Sequence, residues 1–332
     1  MGAVPAILPG AQALNVSAIS NEKPDRCTAV YPRLNPSSSP TMPVLKYILL
    51  VSLLALCAAW AGGIRLNQGA QSTAALDGTG KVTTPLRADT LQPYQEKIAG
   101  TLVALDMIPV PAGTITVQAE GGPKTVQVGP FWIEKTELPW EVYDAFVYGM
   151  DKVEQGSTPE VDAISRPSRP YMLPGESFGH EDHPALGMTY KAAQHFTEWL
   201  SARTGHTYRL PTEAEWTYAC RAGQPEPTGA QLKEIAWYFD NASDKTHERG
   251  TLAPNEWGIQ DMLGNTAEWF GDSGEKGAVI GGSWKTDAAG LNCSTTQPYS
   301  PEWQMTDPQI PKSTWWLSDG NFVGMRVIRV PE

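Results

Sequence analysis

The chain reads as an α+β fold of short elements joined by long irregular connections. Three observations point there: two amphipathic helical stretches over 189–205 and 212–223, an alternating hairpin over 114–128, and turn formers throughout, with 31 Gly and 28 Pro in 332 residues. Irregular backbone leaves polar groups unpaired, so such a fold needs side-chain hydrogen bonds, metals or disulfides to fix its loops. Hydrophobic residues at 41% suffice for a packed core. A formal net charge of −11 argues against a nucleic-acid partner, which needs a basic footprint.

The first 106 residues are read as lying outside the globular domain. Residues 1–41 mix Pro, Ser, Asn and Ala without period, a non-structural leader or a misassigned start, and Met42 makes the more sensible beginning. Lys46, the apolar run Tyr47 to Ala61 and Ala59-Trp60-Ala61 over 42–61 fit a secretory signal with a small-residue cleavage site. An uncleaved anchor over Val44 to Ile64 is the main alternative, because that length approaches a bilayer span. Leu54-Ala55-Leu56-Cys57 resembles a lipoprotein box, although Leu56 is large for the position before the cysteine. Either way the C-terminal body is exported, to the periplasm, the exterior or the outer face of a membrane. Residues 62–106 read as a linker or extension with at most a short helix near Leu91–Leu102, and the domain is expected over 107–330.

Within the domain, Thr114–Gln118 and Lys124–Val128 alternate as strands around the turn cluster Glu120-Gly121-Gly122-Pro123. Phe131–Lys135 continues as a strand. Pro139 opens a helix whose apolar stripe is Val142, Tyr143 and Phe146. The long connection from Gly149 to Gly187 is expected to be functional or docked. Thr189 caps a helix that buries Ala192, Ala193, Phe196, Trp199 and Leu200 and ends at Gly205. Thr212-Glu-Ala-Glu215 is a capping box, and Trp216 and Ala219 face the core before Gly223 stops the helix. Turn residues then dominate until strands at Val279–Trp284 and Gly324–Val330.

Three segments carry a resemblance: Arg209-Leu-Pro-Thr-Glu-Ala-Glu-Trp216, Asp261-Met-Leu-Gly-Asn-Thr-Ala-Glu-Trp269 and Gly281-Gly-Ser-Trp284. Each is weak alone, but in this order and spacing they resemble the sulfatase-modifying-factor family, whose best-known members generate formylglycine. Met107 to Gly113, Phe131 to Glu137, His183 to Trp199 and Asn321 to Val327 are similar to further family segments, with Met325 where Phe is more usual. The resemblance implies a C-type-lectin-like fold from about Met107 to Val330.

Formylglycine-generating members carry one cysteine two residues after the Gly-Gly-Ser-aromatic segment and a second five residues further on. Such a pair suits copper(I) and oxygen chemistry, because soft thiolates select that ion. Here Thr286 holds the first position and the second falls on Leu291, or in a short gap if the loop is shortened, so copper and formylglycine-generating oxidase activity are not expected. Cys220 and Cys293, in an exported chain, most simply form a disulfide; two unrelated buried thiols are the alternative. The resemblance supports the pair, with a deletion of about three residues before Cys293.

The family's motif at Asp261 to Glu268 implies a structural calcium, with carboxylates of Asp261 and Glu268 and carbonyls of Gly264 and Thr266. The bland alternative is a turn with Asn265 in a left-handed conformation and two solvated acids. A second family calcium site would start at Asn241 and Ala242, although the loop to Glu248 is shortened. His180, His183, His195, His206 and His247 lack the spacing of a zinc or iron centre. No nucleophile elbow, phosphate loop or dinucleotide fingerprint occurs. Trp237-Tyr238-Phe239 and Trp315-Trp316 read as core, some of them lining a groove for a protein, peptide or glycan. The expected function is a binding or scaffold module, with an oxidoreductase acting on a peptide or small thiol through a non-standard site as the alternative.

Overall fold

The computed structural model describes residues 75–76, 82–83, 91–119, 121–152, 159–170 and 175–332, all within the unit Thr73–Glu332. The leader, the signal or anchor segment and most of the linker lie outside the described residues. Among the described residues, no helix is long and apolar enough to cross a membrane.

Two short strands, β1 (Ala75–Leu76) and β2 (Val82–Thr83), pair antiparallel. The next two are β3 (Tyr94–Lys97) and β4 (Ala104–Val110), which pair with each other and continue to β7 (Phe131–Glu134). The short helix expected near Leu91–Leu102 is therefore a strand and turn, and the sheet begins ahead of Met107. Pro93 and the alternation of exposed Gln95 and Lys97 with buried Glu96 favour the extended chain. The Tyr208 hydroxyl donates to Glu96 at 2.7 Å and fastens β3 to the domain.

Between β4 and β7 stand β5 (Gly113–Ala119) and β6 (Gly122–Val128), the expected hairpin, each strand longer than its alternating run. Helix α1 (Trp140–Val147) follows Pro139 and buries Val142, Tyr143 and Phe146. The described part of the long connection after it is docked: Arg166 donates to Asp151 and to the Phe146 carbonyl, both at 2.9 Å, past the short helix α2 (Pro159–Ala163). Helix α3 (Tyr190–Thr204) has Thr189 as N-cap, accepting from the Ala192 amide, and Gly205 at φ 76° as C-cap. Its face Ala192, Ala193, Phe196, Trp199 and Leu200 is buried as expected.

Strand β8 (Tyr208–Arg209) leads into α4 (Glu213–Arg221), where both halves of the capping box form. The turn out of α4 is made by Ala222 at φ 46°, one residue before Gly223. A single-turn helix, α5 (Leu232–Ile235), precedes β9 (Ala267–Trp269), β10 (Ala278–Ile280) and β11 (Thr296–Pro298). The strand expected to reach Trp284 stops at Ile280. Gly281 turns at φ 91°, where a Cβ would meet the Met262 carbonyl at 2.8 Å.

The closing strand expected over Gly324–Val330 is two strands, β12 (Val323–Gly324) and β13 (Ile328–Arg329). They belong to different sheets. One sheet runs β3-β4-β7-β13-β8, all antiparallel, and the other β11-β10-β9-β12, with β12 parallel to β9. Met325, Arg326 and Val327 cross between them, each fully buried. Core side chains fall into two clusters. One, around Phe146, Trp199 and Trp269, lies against α1 and α3; the other, around Trp216, Ile280 and Ile328, lies against α4.

Candidate functional site

The loop after β10 shows what stands where a thiol pair would be. Thr286 folds back on the loop: its Oγ1 accepts from the Ser283 amide at 2.9 Å, and its own amide donates to the Ser283 carbonyl at 2.9 Å. Leu291 is buried, and both residues crowd Gly282. Cys220 and Cys293 form a disulfide with a Cα–Cα distance of 5.8 Å, closing 73 residues and joining α4 to this loop. That is the expected pair, and it leaves no free thiol among the described residues.

Beside the loop lies a cleft of about 240 Å³ lined by Phe178, His183, Trp237, Lys245, His247 and Glu248. The Trp237 and His247 rings stack with centroids 3.8 Å apart. Phe178 meets Trp284 edge to face at 5.5 Å, and the Phe239 amide donates to the Thr286 carbonyl at 3.2 Å. The cleft is thus the continuation of the Gly-Gly-Ser-Trp loop. Burial pushes the His183 imidazole below its ordinary range, and its Nδ1 is buried without a partner. Lys285 rests its Nζ 3.2 Å from the Phe322 ring centroid, and desolvation lowers its amine to about 8. Of the aromatic runs, Tyr238 and Trp316 are core, Trp237 lines the cleft, and Phe239 is exposed.

Behind the loop is a buried charged cluster in which Asp261 to Glu268 takes part. Glu268 accepts from Arg326 Nε at 2.9 Å and Nη2 at 2.8 Å, and from the Trp216 indole at 2.6 Å. Arg326 also donates to the carbonyls of Glu134, Gln260 and Asp261. Burial alone would lower the Arg326 pKa, but the Glu268 carboxylate beside it raises it. Glu137 Oε1 accepts from the Thr266 amide and hydroxyl, both at 3.2 Å. Its carboxyl is held well above the ordinary range by burial and then by the charges of Asp261 and Glu268.

The calcium set expected from Asp261, Gly264, Thr266 and Glu268 does not fit as arranged. Both Glu268 oxygens are committed to a guanidinium and an indole, and Arg326 would repel a cation beside them. Asp261, at φ 53° and buried, has one unpartnered oxygen, Oδ1; its Oδ2 accepts from the Gly250 amide at 2.5 Å. Gly264 is needed for a close approach, since a Cβ there would stand 2.2 Å from the Trp237 carbonyl oxygen. Asn265 sits at φ 50° and its side chain accepts from the His247 amide, a turn as in the bland alternative, but with buried acids.

The residues of the second expected site brace their own loop. Asn241 accepts from the Tyr238 amide at 2.7 Å and donates to the Ala236 carbonyl, and the Ala242 carbonyl lies 2.8 Å from His247 Nε2. Among the described residues, no group of three or more His, Cys, Asp or Glu stands where it could hold a metal ion. Sequence reading missed Glu134, Glu137, Arg249 and Arg326. The available signal was two acids in the strand and turn Phe131 to Leu138, and an arginine in the apolar run Phe322 to Ile328.

The chain is 26% identical over 225 residues to the formylglycine-generating enzyme of Thermomonospora curvata, covering 51% of this chain and 72% of that protein. It is 26% identical over 223 residues to the formylglycine-generating enzyme of Bos taurus, spanning 57% of that protein. A stretch of 97 residues is 34% identical to serine/threonine-protein kinase pkn1 of Chlamydia pneumoniae, spanning only 14% of it. Among solved structures, Treponema denticola variable protein 1 superposes with a TM-score of 0.52 at 20% identity, covering 73% of this chain and all of that one. PvdO from Pseudomonas aeruginosa gives 0.52 at 22% identity, covering 72% and 98%. At that identity the likeness concerns the fold alone. The family model described as the sulfatase-modifying factor enzyme 1-like domain matches residues 95–329, and the chain belongs to that family.

Proposed function

We infer that this chain is an exported family member that does not generate formylglycine and instead binds a ligand in the cleft beside the Gly-Gly-Ser-Trp loop. One observation carries the reading: Thr286 and Leu291 stand where thiols are expected, and the described cysteines are tied to each other. A hydroxyl and an isobutyl group neither select copper(I) nor pass electrons. The signal-like run before residue 62 and a disulfide of the kind that persists in oxidising compartments support export.

The cleft offers stacked Trp237 and His247, the Phe178 ring, and the charged side chains Lys245 and Glu248. Aromatic faces with a few polar groups suit a peptide or glycan. The test is a Cys-x-Pro-x-Arg sulfatase peptide incubated with the full chain, copper and oxygen and followed by mass spectrometry. The expected result is no aldehyde. Aldehyde formation would overturn the reading and favour an oxidoreductase.

A further inference from the structure

A second, polar cavity of about 280 Å³ shares no lining residue with the cleft of the proposed function. Its walls include Glu134 from β7, Lys135 and Arg249, with Gln95, Ala104 and Asp106 among the others. Glu134 is 2% exposed, and its Oε2 accepts from the Val327 amide at 3.1 Å while its Oε1 has no partner. Arg249 is one-sided as well. Its Nη1 donates to Thr136 and to the Glu137 carbonyl, whereas Nε is buried without a partner and Nη2 makes no hydrogen bond among the described residues.

We propose that this cavity is a binding site for the carboxylate of a small monoanion, held by the free Nε–Nη2 edge of Arg249 and by the unpartnered Glu134 oxygen. A guanidinium edge with two parallel N–H groups matches the two oxygens of a carboxylate. Glu134 completes the site as a donor, because burial raises its carboxyl to about 8 and it keeps its proton at neutral pH. Lys135 adds positive charge at the wall, and Asp106 limits the charge the site tolerates, so a monoanion fits better than a phosphate dianion. A volume just below the usual range for ligand pockets restricts the occupant to a small molecule or a single terminal group.

The experiment is calorimetric titration of the full chain at constant ionic strength. Its arms are acetate, propionate and lactate, a tripeptide with a free C-terminus, the same tripeptide amidated, and chloride and phosphate as controls. Saturable binding of a monocarboxylate, lost in the amidated peptide, is expected. Binding of the free acids alone assigns the site to metabolites; binding of the free tripeptide assigns it to chain ends. Arg249→Lys, which keeps the charge but loses the two-pronged edge, should weaken binding roughly tenfold or more.

Ala104→Leu adds bulk to the cavity wall without removing a charged group and should abolish binding while the chain stays folded by circular dichroism. Glu134→Gln still offers an N–H donor but cannot ionise, so its binding should no longer weaken as pH rises past about 8. In the natural chain affinity should fall as pH rises past about 8, where Glu134 ionises among Arg249, Arg326, Glu268, Lys135 and Asp106. No saturable carboxylate binding, or binding unchanged in both Arg249→Lys and Ala104→Leu, would overturn the proposal and leave the cavity to water.

Discussion

Arg326 is fully buried and makes its hydrogen bonds to Glu268 and to three backbone carbonyls, so its removal strands a carboxylate in the core. Breaking one partner of a buried pair costs about 3–5 kcal/mol. Arg326→Met is expected to lower urea-unfolding stability by about that amount, and Glu268→Gln by less, since the amide oxygen still accepts from the arginine. Glu134 gives a pH signature of its own. Folded, it holds its proton up to about 8; unfolded, it loses it near 4.5. Between those values the folded chain binds more protons, so stability falls as pH rises and levels off on either side. Glu137 and Asp261, both raised by burial, act in the same direction. Glu134→Gln should flatten part of that slope in urea titrations across pH 5 to 8. An unchanged slope would mean that Glu134 is ionised when buried.

The elements differ in how far local sequence announced them. Both long helices were legible because their signals are local: Thr189 and Thr212 cap, Glu215 closes its box, and the apolar spacing fixes the buried face. Thr212→Ala should cost about 1 kcal/mol in thermal or urea unfolding. The strands were less legible. Ile280 and Gly324 end theirs because Gly281 turns where the Met262 carbonyl leaves no room for a Cβ and because the chain leaves one sheet for the other at Arg326, relations that no local window contains. The strand Tyr94–Lys97 was hidden in the same way, its partner being Ala104–Met107 and its fastening Tyr208, more than 100 residues on.

For the whole molecule, the Cys220–Cys293 bond ties α4 to the loop that carries Thr286 and Leu291. In the chain-entropy model, closing a loop of this length stabilises by about 4 kcal/mol. Reduction, or the Cys220→Ser/Cys293→Ser double substitution, should lower stability by about that much while leaving the α3 face packed. The missing thiols and the pairing of the present ones were readable from sequence, because they depend only on residue type at a position. The charged cluster was not, because Glu134, Glu137, Asp261, Glu268 and Arg326 come from three separate stretches. Arginine as the neutralising partner also sets an expectation for calcium: adding it, or chelating it, should leave the melting temperature unchanged. A clear upward shift with calcium would mean that Glu268 exchanges Arg326 for the ion.

The strand Ile328–Arg329 lies between Phe131–Glu134 and Tyr208–Arg209, inside the larger sheet rather than at its rim. During synthesis every other strand of that sheet has left the ribosome before it arrives. The two neighbours must wait with their inner edges unsatisfied. A stop codon just ahead of Ile328 would therefore spare every other strand of that sheet yet withhold its keystone, and the product should be a target for quality-control proteases.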